Sequence, residues 1–226
     1  MTSLAVSAAV LKTMPIFSRL SDRELATLVP AIQHRCYPRH SLMVRANEKS
    51  NTLYVVLSGK AKVSVDDGHG REVTLGIIGP SEFFGEFSFI DEKPRSANVQ
   101  ALEPCEVLCI PKPAFMVCLA QNFDAMMVML RDVVGRLREA DRKIASLALM
   151  DVHGRVARLL MEVAKDVDGA WVVDTGSEEI ARMVGASREM VSRVLKEMRE
   201  LGLIRRDKRK IIVLDRESMA ERRTLH

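Results

Sequence analysis

Residues 177–196 read SEEIARMVGASREMVSRVLK, and this stretch decides the fold of the last third of the chain. Apolar residues recur at helical spacing on both sides of Gly185. Ala181 is small enough for a second helix to cross closely above it, while Gly185 can adopt the positive φ of a tight turn. Ser187 can cap the helix that follows. The stretch therefore predicts a helix-turn-helix.

The second helix of this motif begins with polar residues suited to reading base edges. Arg188 and Arg193 can each form a bidentate pair with guanine O6 and N7, and Glu189 can accept a hydrogen bond from cytosine N4. The first residues of such a helix are the ones that enter the major groove. We therefore expect Ser187, Arg188, Glu189 and Arg193 to contact DNA.

A basic hairpin is predicted directly behind this helix, in LGLIRRDKRKIIVLD at 201–215. Five of the six residues in RRDKRK are basic, and apolar runs flank them. This pattern is typical of a wing whose tip faces phosphates, although a solvated surface turn is the alternative. The predicted DNA contacts of the wing are Arg205, Arg206, Lys208, Arg209 and Lys210.

Two helix starts carry the residues of a capping box. Ser21 and Glu24 form one such pair, and Thr175 and Glu178 form the other, at the start of the helix-turn-helix.

A long helical pattern covers residues 113–149, and its apolar positions repeat every seven residues. This spacing predicts a narrow coiled-coil seam between charged flanks. The seam favours a parallel homodimer over a helix packed on its own domain. Its members are Leu130, Val133, Leu137, Ala140, Ile144 and Leu147.

Between residues 41 and 111 the pattern changes to short β-type runs, which predict an antiparallel sandwich, roll or barrel. The stretch GEFSFIDEKPRSA at 85–97 lies on a loop between two of these strands. Gly85 gives room at the backbone, and Glu86 can accept from sugar hydroxyls. Arg95 and Ser96 suit a phosphate. A nucleotide site and an ordinary surface turn are equally compatible with these residues alone.

Composition limits the class of protein. The chain has 226 residues, a net charge of +4 and a pI near 9.0, so a polyanionic partner is permitted but not required. No signal segment opens it, its apolar runs are too short for a membrane span, and its four cysteines form no C-x-x-C pair. We expect a cytoplasmic protein with no membrane partner. No catalytic triad, metal-ligand spacing or Walker-type loop is evident, so we expect no catalytic residues, no metal and no enzyme.

The chain resembles the cyclic AMP receptor protein and fumarate-nitrate regulator family of bacterial transcription factors over nearly its whole length. The most specific matches are GE…PRSA at 85–97, LALMDVHGRVARLL at 147–160 and GASREMVSRVLK at 185–196. The resemblance implies an α+β chain with a jelly-roll-like antiparallel β-roll that binds a cyclic nucleotide, a long dimerisation helix and a winged helix-turn-helix. The expected domains are 1–120, 121–150 and 151–226.

The same resemblance implies roles and partners. Arg95 and Ser96 would bind the cyclic phosphate, Glu86 the ribose hydroxyl, and Gly85 would leave room for the ligand. The implied partners are double-stranded DNA with an inverted-repeat site, a cyclic nucleotide effector, a second copy of the chain and RNA polymerase. No cofactor is implied, and the absence of cysteine before residue 36 argues against an iron–sulfur sensor.

One departure bears on the effector. Members that bind cyclic AMP carry a Thr-Ser pair on the long helix, and the matching residues here are Ala140 and Asp141. A carboxylate can accept from guanine N1–H and N2–H in parallel, whereas it meets a repelling ring nitrogen on adenine. We therefore expect cyclic di-GMP first, then cyclic AMP, then cyclic GMP. Further phosphate contacts are expected from Arg136, Arg138 and Arg142.

Three functions remain open from the sequence. The first is a homodimeric regulator controlled by a cyclic nucleotide. The second is a regulator of the same fold that binds DNA without a ligand. The third is a cyclic-nucleotide-binding module that acts on a protein partner.

Overall fold

The computed structural model describes residues 8–69, 71–207 and 210–221. The chain forms two compact units, the first ending at Arg136 and the second beginning at Leu137. The boundary between the units lies inside the longest helix, which links them in sequence. The division into domains 1–120, 121–150 and 151–226 remains a prediction.

The first unit contains two four-stranded antiparallel sheets. Their strands are β1 (Gln33–Tyr37), β2 (Leu42–Val44), β3 (Thr52–Ser58), β4 (Ala61–Asp66), β5 (Glu72–Ile78), β6 (Phe83–Phe84), β7 (Asn98–Ala101) and β8 (Cys105–Pro111). One sheet has the order β1-β8-β3-β6 and the other β2-β7-β4-β5. Tyr54, Val56 and Val107 of the first sheet share a buried cluster with Ala61 and Val99 of the second. The predicted antiparallel β-roll is confirmed.

Helices cover the other face of the first sheet. They are α1 (Ala8–Lys12), α2 (Asp22–Leu28), a 3-10 turn (Val29–Ala31), α3 (Glu86–Asp91), α4 (Lys112–Gln121) and the first part of α5 (Phe123–Leu149). Because side chains alternate along a strand, β3 and β8 direct Leu53 and Leu108 to this side, where they pack with Phe115 and Met129. The capping box predicted at Ser21 is present.

The long helical pattern predicted for residues 113–149 is wrong in one respect, because it breaks at Asn122. There the backbone leaves the helix (φ −134°, ψ 94°), and α4 and α5 meet at an angle of 115°. Asn122 Oδ1 accepts from Ala125 N at 2.9 Å, so the residue that ends α4 also caps α5. Within the described residues, no single helix is long and apolar enough to cross a membrane, and the bent pair α4–α5 meets that criterion only when taken together.

The second unit is a winged helix-turn-helix, as predicted. After the end of α5 come α6 (Val152–Val163), β9 (Lys165–Val167), β10 (Ala170–Val173), α7 (Ser177–Val184), α8 (Arg188–Glu200), β11 (Ile204–Asp207), β12 (Lys210–Val213) and α9 (Arg216–Glu221). The strands form one sheet with the order β11-β12-β10-β9. Leu160, Ile180 and Val194 of the three main helices share a core with Ile211 of the wing.

The turn between α7 and α8 has the predicted geometry, but the start of α7 does not. Gly185 has φ +65°, and Ser187 Oγ accepts a hydrogen bond from the backbone N–H of Met190 in the first turn of α8. The capping box predicted from Thr175 and Glu178 is absent, because the N-cap is Gly176, which has no side chain to offer.

Candidate functional site

A sharp turn at Gly85 connects the strand β6 to the short helix α3. Gly85 has φ +88°, and a Cβ added there would lie 2.2 Å from Arg95 Nη1 and 2.9 Å from the Thr52 carbonyl oxygen. Only glycine fits both the backbone angle and the space. The sequence placed residues 85–97 on a loop, whereas residues Glu86–Asp91 are helical, so the loop prediction holds only for the part after α3.

Arg95 is held inside the first unit by the protein's own acceptors. The residue is only 3% exposed. Its Nη1 donates to the Gly85 carbonyl oxygen at 2.7 Å, and its Nη2 donates to Ser50 Oγ at 2.8 Å and to the Thr52 carbonyl oxygen at 2.5 Å. The guanidinium therefore joins the turn that carries Glu86 to the start of β3.

One N–H donor of this guanidinium makes no hydrogen bond to the described residues. The Nε of Arg95 is buried and has no hydrogen-bond partner among the described residues. Burial lowers the pKa of the guanidinium, whereas the nearby Tyr54 and Glu86 raise it. A buried cation with an unused donor can bind an anion at little additional desolvation cost.

Glu86, the first residue of α3, is a buried carboxylate with a specific charged partner. The residue is 4% exposed, and its Oε1 lies 3.0 Å from Nη1 of Arg136 on α5. Arg136 also donates to the Phe83 carbonyl oxygen and lies 2.7 Å from Asp132. Burial raises the pKa of Glu86, and the positive charge of Arg136 opposes that rise.

The predicted ligand residues are thus only partly brought together. Gly85, Glu86 and Arg95 form one connected cluster, while Ser96 is exposed on the bend that follows. Asp141 is exposed on α5 in the second unit, so its predicted contact with the effector base remains a prediction.

Sequence reasoning missed the residues that support this cluster. Nothing in the sequence selects Ser50 and Thr52, although both accept hydrogen bonds from Arg95 Nη2. Arg136 was expected to contact phosphate, and its pairing with Glu86 across 50 residues has no local signal in the sequence.

The recognition helix α8 has one buried face and one exposed face. Ser187, Arg188, Glu189 and Arg193 are all exposed, while Val191 and its neighbours one turn on are buried. The first two turns of α8 therefore present two guanidinium groups and a carboxylate to solvent, as base-edge contacts require.

The wing hairpin presents basic side chains beside this helix. Arg205 and Arg206 on β11 and Lys210 on β12 are exposed. Lys208 and Arg209, which were predicted to contact DNA at the wing tip, lie outside the described residues.

Comparison with known proteins identifies both halves of the chain. Residues 34–122 match the cyclic nucleotide-binding domain family, and residues 154–222 match the Crp-like helix-turn-helix domain family. The CRP-like cAMP-activated global transcriptional regulator of Mycobacterium tuberculosis is 32% identical over 219 residues, covering 94% of this chain and 98% of that protein. The chain belongs to the CRP/FNR family of transcriptional regulators.

Two further relatives are named for two different effectors. The cAMP-activated regulator Vfr of Pseudomonas aeruginosa is 33% identical over 80% of this chain and 89% of its own length. The c-di-GMP responsive global regulator CLP of Xanthomonas campestris has a solved structure that is 26% identical, with a TM-score of 0.76, over 86% of this chain and 100% of that one.

Membership of the CRP/FNR family fixes the general function. The chain is a CRP-like DNA-binding transcription regulator that responds to a cyclic nucleotide. The cluster of Gly85, Glu86 and Arg95 lies in the nucleotide-binding match, and α7, α8 and the wing lie in the helix-turn-helix match. The whole of α5 lies between the two matches.

The predicted seam residues of α5 carry a large apolar surface that a single chain leaves in water. Leu130, Leu137, Ile144 and Leu147 are all more than half exposed. Val133 is half-buried and Ala140 is exposed. Exposed apolar stripes of this size on one helix usually mark an interaction surface.

Proposed function

We propose that this CRP/FNR member is a homodimer whose affinity for inverted-repeat DNA is set by a cyclic nucleotide bound by Gly85, Glu86, Arg95 and Ser96. The observation that carries the proposal is the buried guanidinium of Arg95, whose Nε lacks a partner among the described residues. An unpaired donor on a buried cation calls for an explanation, and a bound anion supplies one.

The chemistry of the cluster suits the two polar ends of a cyclic nucleotide. Arg95 supplies the positive charge and Nε donor for the phosphate, and the exposed hydroxyl of Ser96 adds a second donor. Glu86 accepts from a ribose hydroxyl. Gly85 keeps the backbone beside the guanidinium free of a side chain.

Cyclic di-GMP is the effector that we favour. Ala140 removes any hydrogen bond to adenine, and Asp141 provides a carboxylate for the paired N1–H and N2–H donors of guanine. The similarity to the c-di-GMP responsive CLP supports this choice. Arg136, Arg138 and Arg142 were expected to add phosphate contacts, but Arg136 is engaged with Glu86 and Arg142 lies 3.3 Å from Glu139.

Cyclic AMP is the second candidate. The relatives from Mycobacterium tuberculosis and Pseudomonas aeruginosa, both more similar in sequence than CLP, are named as cAMP-activated. Cyclic GMP ranks third.

Two recognition helices in a dimer would meet successive major grooves roughly 34 Å apart, which requires an inverted repeat. The apolar seam from Leu130 to Leu147 supports the dimer. Ser187, Arg188, Glu189 and Arg193 would read bases, and the basic residues of the wing would bind phosphates. Such a regulator works in the cytoplasm, with RNA polymerase as a further partner.

Isothermal titration of the purified protein with cyclic di-GMP, cyclic AMP and cyclic GMP tests the proposal. We expect cyclic di-GMP to bind most tightly, Arg95→Ala to abolish binding of all three, and Asp141→Ala to weaken only the guanine nucleotides. Arg131→Gln, which removes an exposed arginine of α5, is the matched control and should bind as the wild type does.

The outcomes separate the alternatives. Tight binding of cyclic AMP without binding of cyclic di-GMP would refute the choice of effector alone. Specific DNA binding that none of the three nucleotides changes would favour a ligand-independent regulator of the same fold.

A further inference from the structure

A histidine and two carboxylates meet between the first turn of α6 and the recognition helix α8. His153 Nε2 lies 2.5 Å from Glu197 Oε2, and His153 Nδ1 lies 3.9 Å from Oδ2 of Asp151, the N-cap of α6. The side chains of His153 and Glu197 are 40% and 44% exposed, so their pair lies at the surface of the second unit. These three residues form the His153 cluster.

Glu197 lies on the exposed side of α8 that carries the base-reading residues. It follows Arg193 by four residues, and residues at this spacing are neighbours on one face of a helix. The opposite face is buried, and Val194 and Met198 belong to it. Glu197 therefore places a carboxylate one turn beyond Arg193, on a helix whose groove is bordered by phosphates on both sides. A carboxylate there repels the DNA backbone.

His153 is the group that can neutralise this charge. Within the described residues, the ion pairs of the imidazole are with the two carboxylates of the cluster, one from α8 and one from α6 itself. Arg155, two residues further along α6, donates instead to the carbonyl oxygens of Val184 and Met150. A protonated imidazole cancels one of the two carboxylates, whereas a neutral imidazole cancels neither.

We propose that the His153 cluster makes DNA affinity depend on pH: a protonated His153 shields the DNA phosphates from the carboxylate of Glu197, and a neutral His153 does not. The inference goes beyond control by an effector, and it rests on the proposed placement of α8 in the major groove. Histidine is the side chain whose charge ordinarily changes between about pH 5 and pH 8, while carboxylates stay ionised over most of that range. DNA affinity should therefore be highest at acid pH and fall as the pH rises.

The size of the effect follows from the charge and the distance. One charge about 7 Å from a phosphate across water changes a binding constant about threefold. A dimer presents the cluster twice, so the two factors multiply to about tenfold between about pH 5.5 and about pH 8.5. Because the effect acts through phosphates, it should be the same for every base sequence, and salt should reduce it.

The test is the fluorescence anisotropy of two labelled duplexes titrated with the full-length protein at fixed ionic strength. The wild type selects one duplex from a random pool, and the other has a scrambled sequence. Titrations run from about pH 5.5 to about pH 8.5 without nucleotide, then with cyclic di-GMP, then with cyclic AMP. The wild type is compared with His153→Gln, His153→Lys and Glu197→Gln. The control is His69→Gln, which removes an exposed histidine of the first unit.

The wild type and His69→Gln should lose about tenfold in affinity for both duplexes from acid to alkaline pH. His153→Gln should give a flat profile at the alkaline level of the wild type. His153→Lys should give a flat profile near the acid level, because a lysine stays charged throughout. Glu197→Gln should raise the affinity at about pH 8.5 by about tenfold. A misfolded variant loses affinity, so the two expected gains separate the charge of the cluster from a structural role.

The wild-type profile in His153→Gln would overturn the inference, and so would an unchanged or lower affinity of Glu197→Gln at about pH 8.5. Arg188→Ala separates such a failure from a failure of the proposed DNA surface, because it should weaken binding to the selected duplex alone. If Arg188→Ala binds both duplexes as the wild type does, the proposed DNA contacts of α8 are wrong. If it loses the selected duplex while the His153 variants show no pH difference, the role of the His153 cluster alone is wrong.

Discussion

Leu137 offers the sharpest test of the proposed dimer, because its side chain is 60% exposed on the single chain although it is large and apolar. Full burial of a leucine contributes about 1.5–3 kcal/mol, so covering the exposed part contributes about 1–2 kcal/mol per chain. The residue occurs once on each helix of a symmetric dimer. Leu137→Ala should therefore weaken association by about 2–4 kcal/mol, which is roughly 30-fold to 1,000-fold in the dimer dissociation constant.

Leu137→Glu should weaken dimer association more than Leu137→Ala does. It would place two carboxylates against each other in an apolar seam, where an unpaired charge is costly. Ala145→Glu is the matched control, because Ala145 is exposed on the same helix and lies off the seven-residue repeat. Sedimentation equilibrium over a wide concentration range gives the mass of each variant.

We expect Ala145→Glu to sediment as a dimer and Leu137→Glu as a monomer at the same concentration. Circular dichroism should show the same helix content in both variants. A dimer of undiminished stability in Leu137→Glu would refute the assignment of the seam, and dissociation of Ala145→Glu would show that charge alone, rather than position, is responsible.

The remaining predictions concern the DNA surface and the thiols. Arg188→Ala should cost about 1–3 kcal/mol and relax the base preference at one position per half-site, whereas Lys210→Ala should weaken binding to all sequences alike and reduce the salt slope by about 1; equal loss of specificity from both would contradict this division. Cys36 is the exposed cysteine, and burial raises the pKa of Cys109 to about 11. A thiol reagent at about pH 8 should therefore modify one cysteine rapidly in the native protein, and rapid modification of a second would show that the first unit opens readily.

Much of the fold was predictable because it rests on local patterns. The β-roll follows from alternating apolar residues between turn residues, and the helix-turn-helix follows from Ala181, Gly185 and Ser187 at fixed spacing. Each of these signals depends on residues within a few positions of one another, where the backbone itself imposes the geometry.

The errors arose where two local signals competed. Asn122 is compatible with a helix in sequence, but its side chain bonds to Ala125 N and so begins a new helix instead of continuing α4. Thr175 and Glu178 have the spacing of a capping box, yet α7 begins later, and Glu178 pairs with Arg182 one turn on. In both cases the residue types were right for a cap and the sequence left its position undecided.

The candidate site was predictable in its residue types but not in its connections. Arg95 and Glu86 were identified because charged groups beside a glycine turn suit a nucleotide, but their partners Ser50 and Arg136 lie 45 and 50 residues away. Burial is what makes these partners matter. In water a guanidinium and a carboxylate lose little without a partner, whereas inside the β-roll each must be paired or hydrogen-bonded. Burial therefore raises the pKa of Glu86, and the guanidinium of Arg136 on α5 opposes that rise from 50 residues away in the chain.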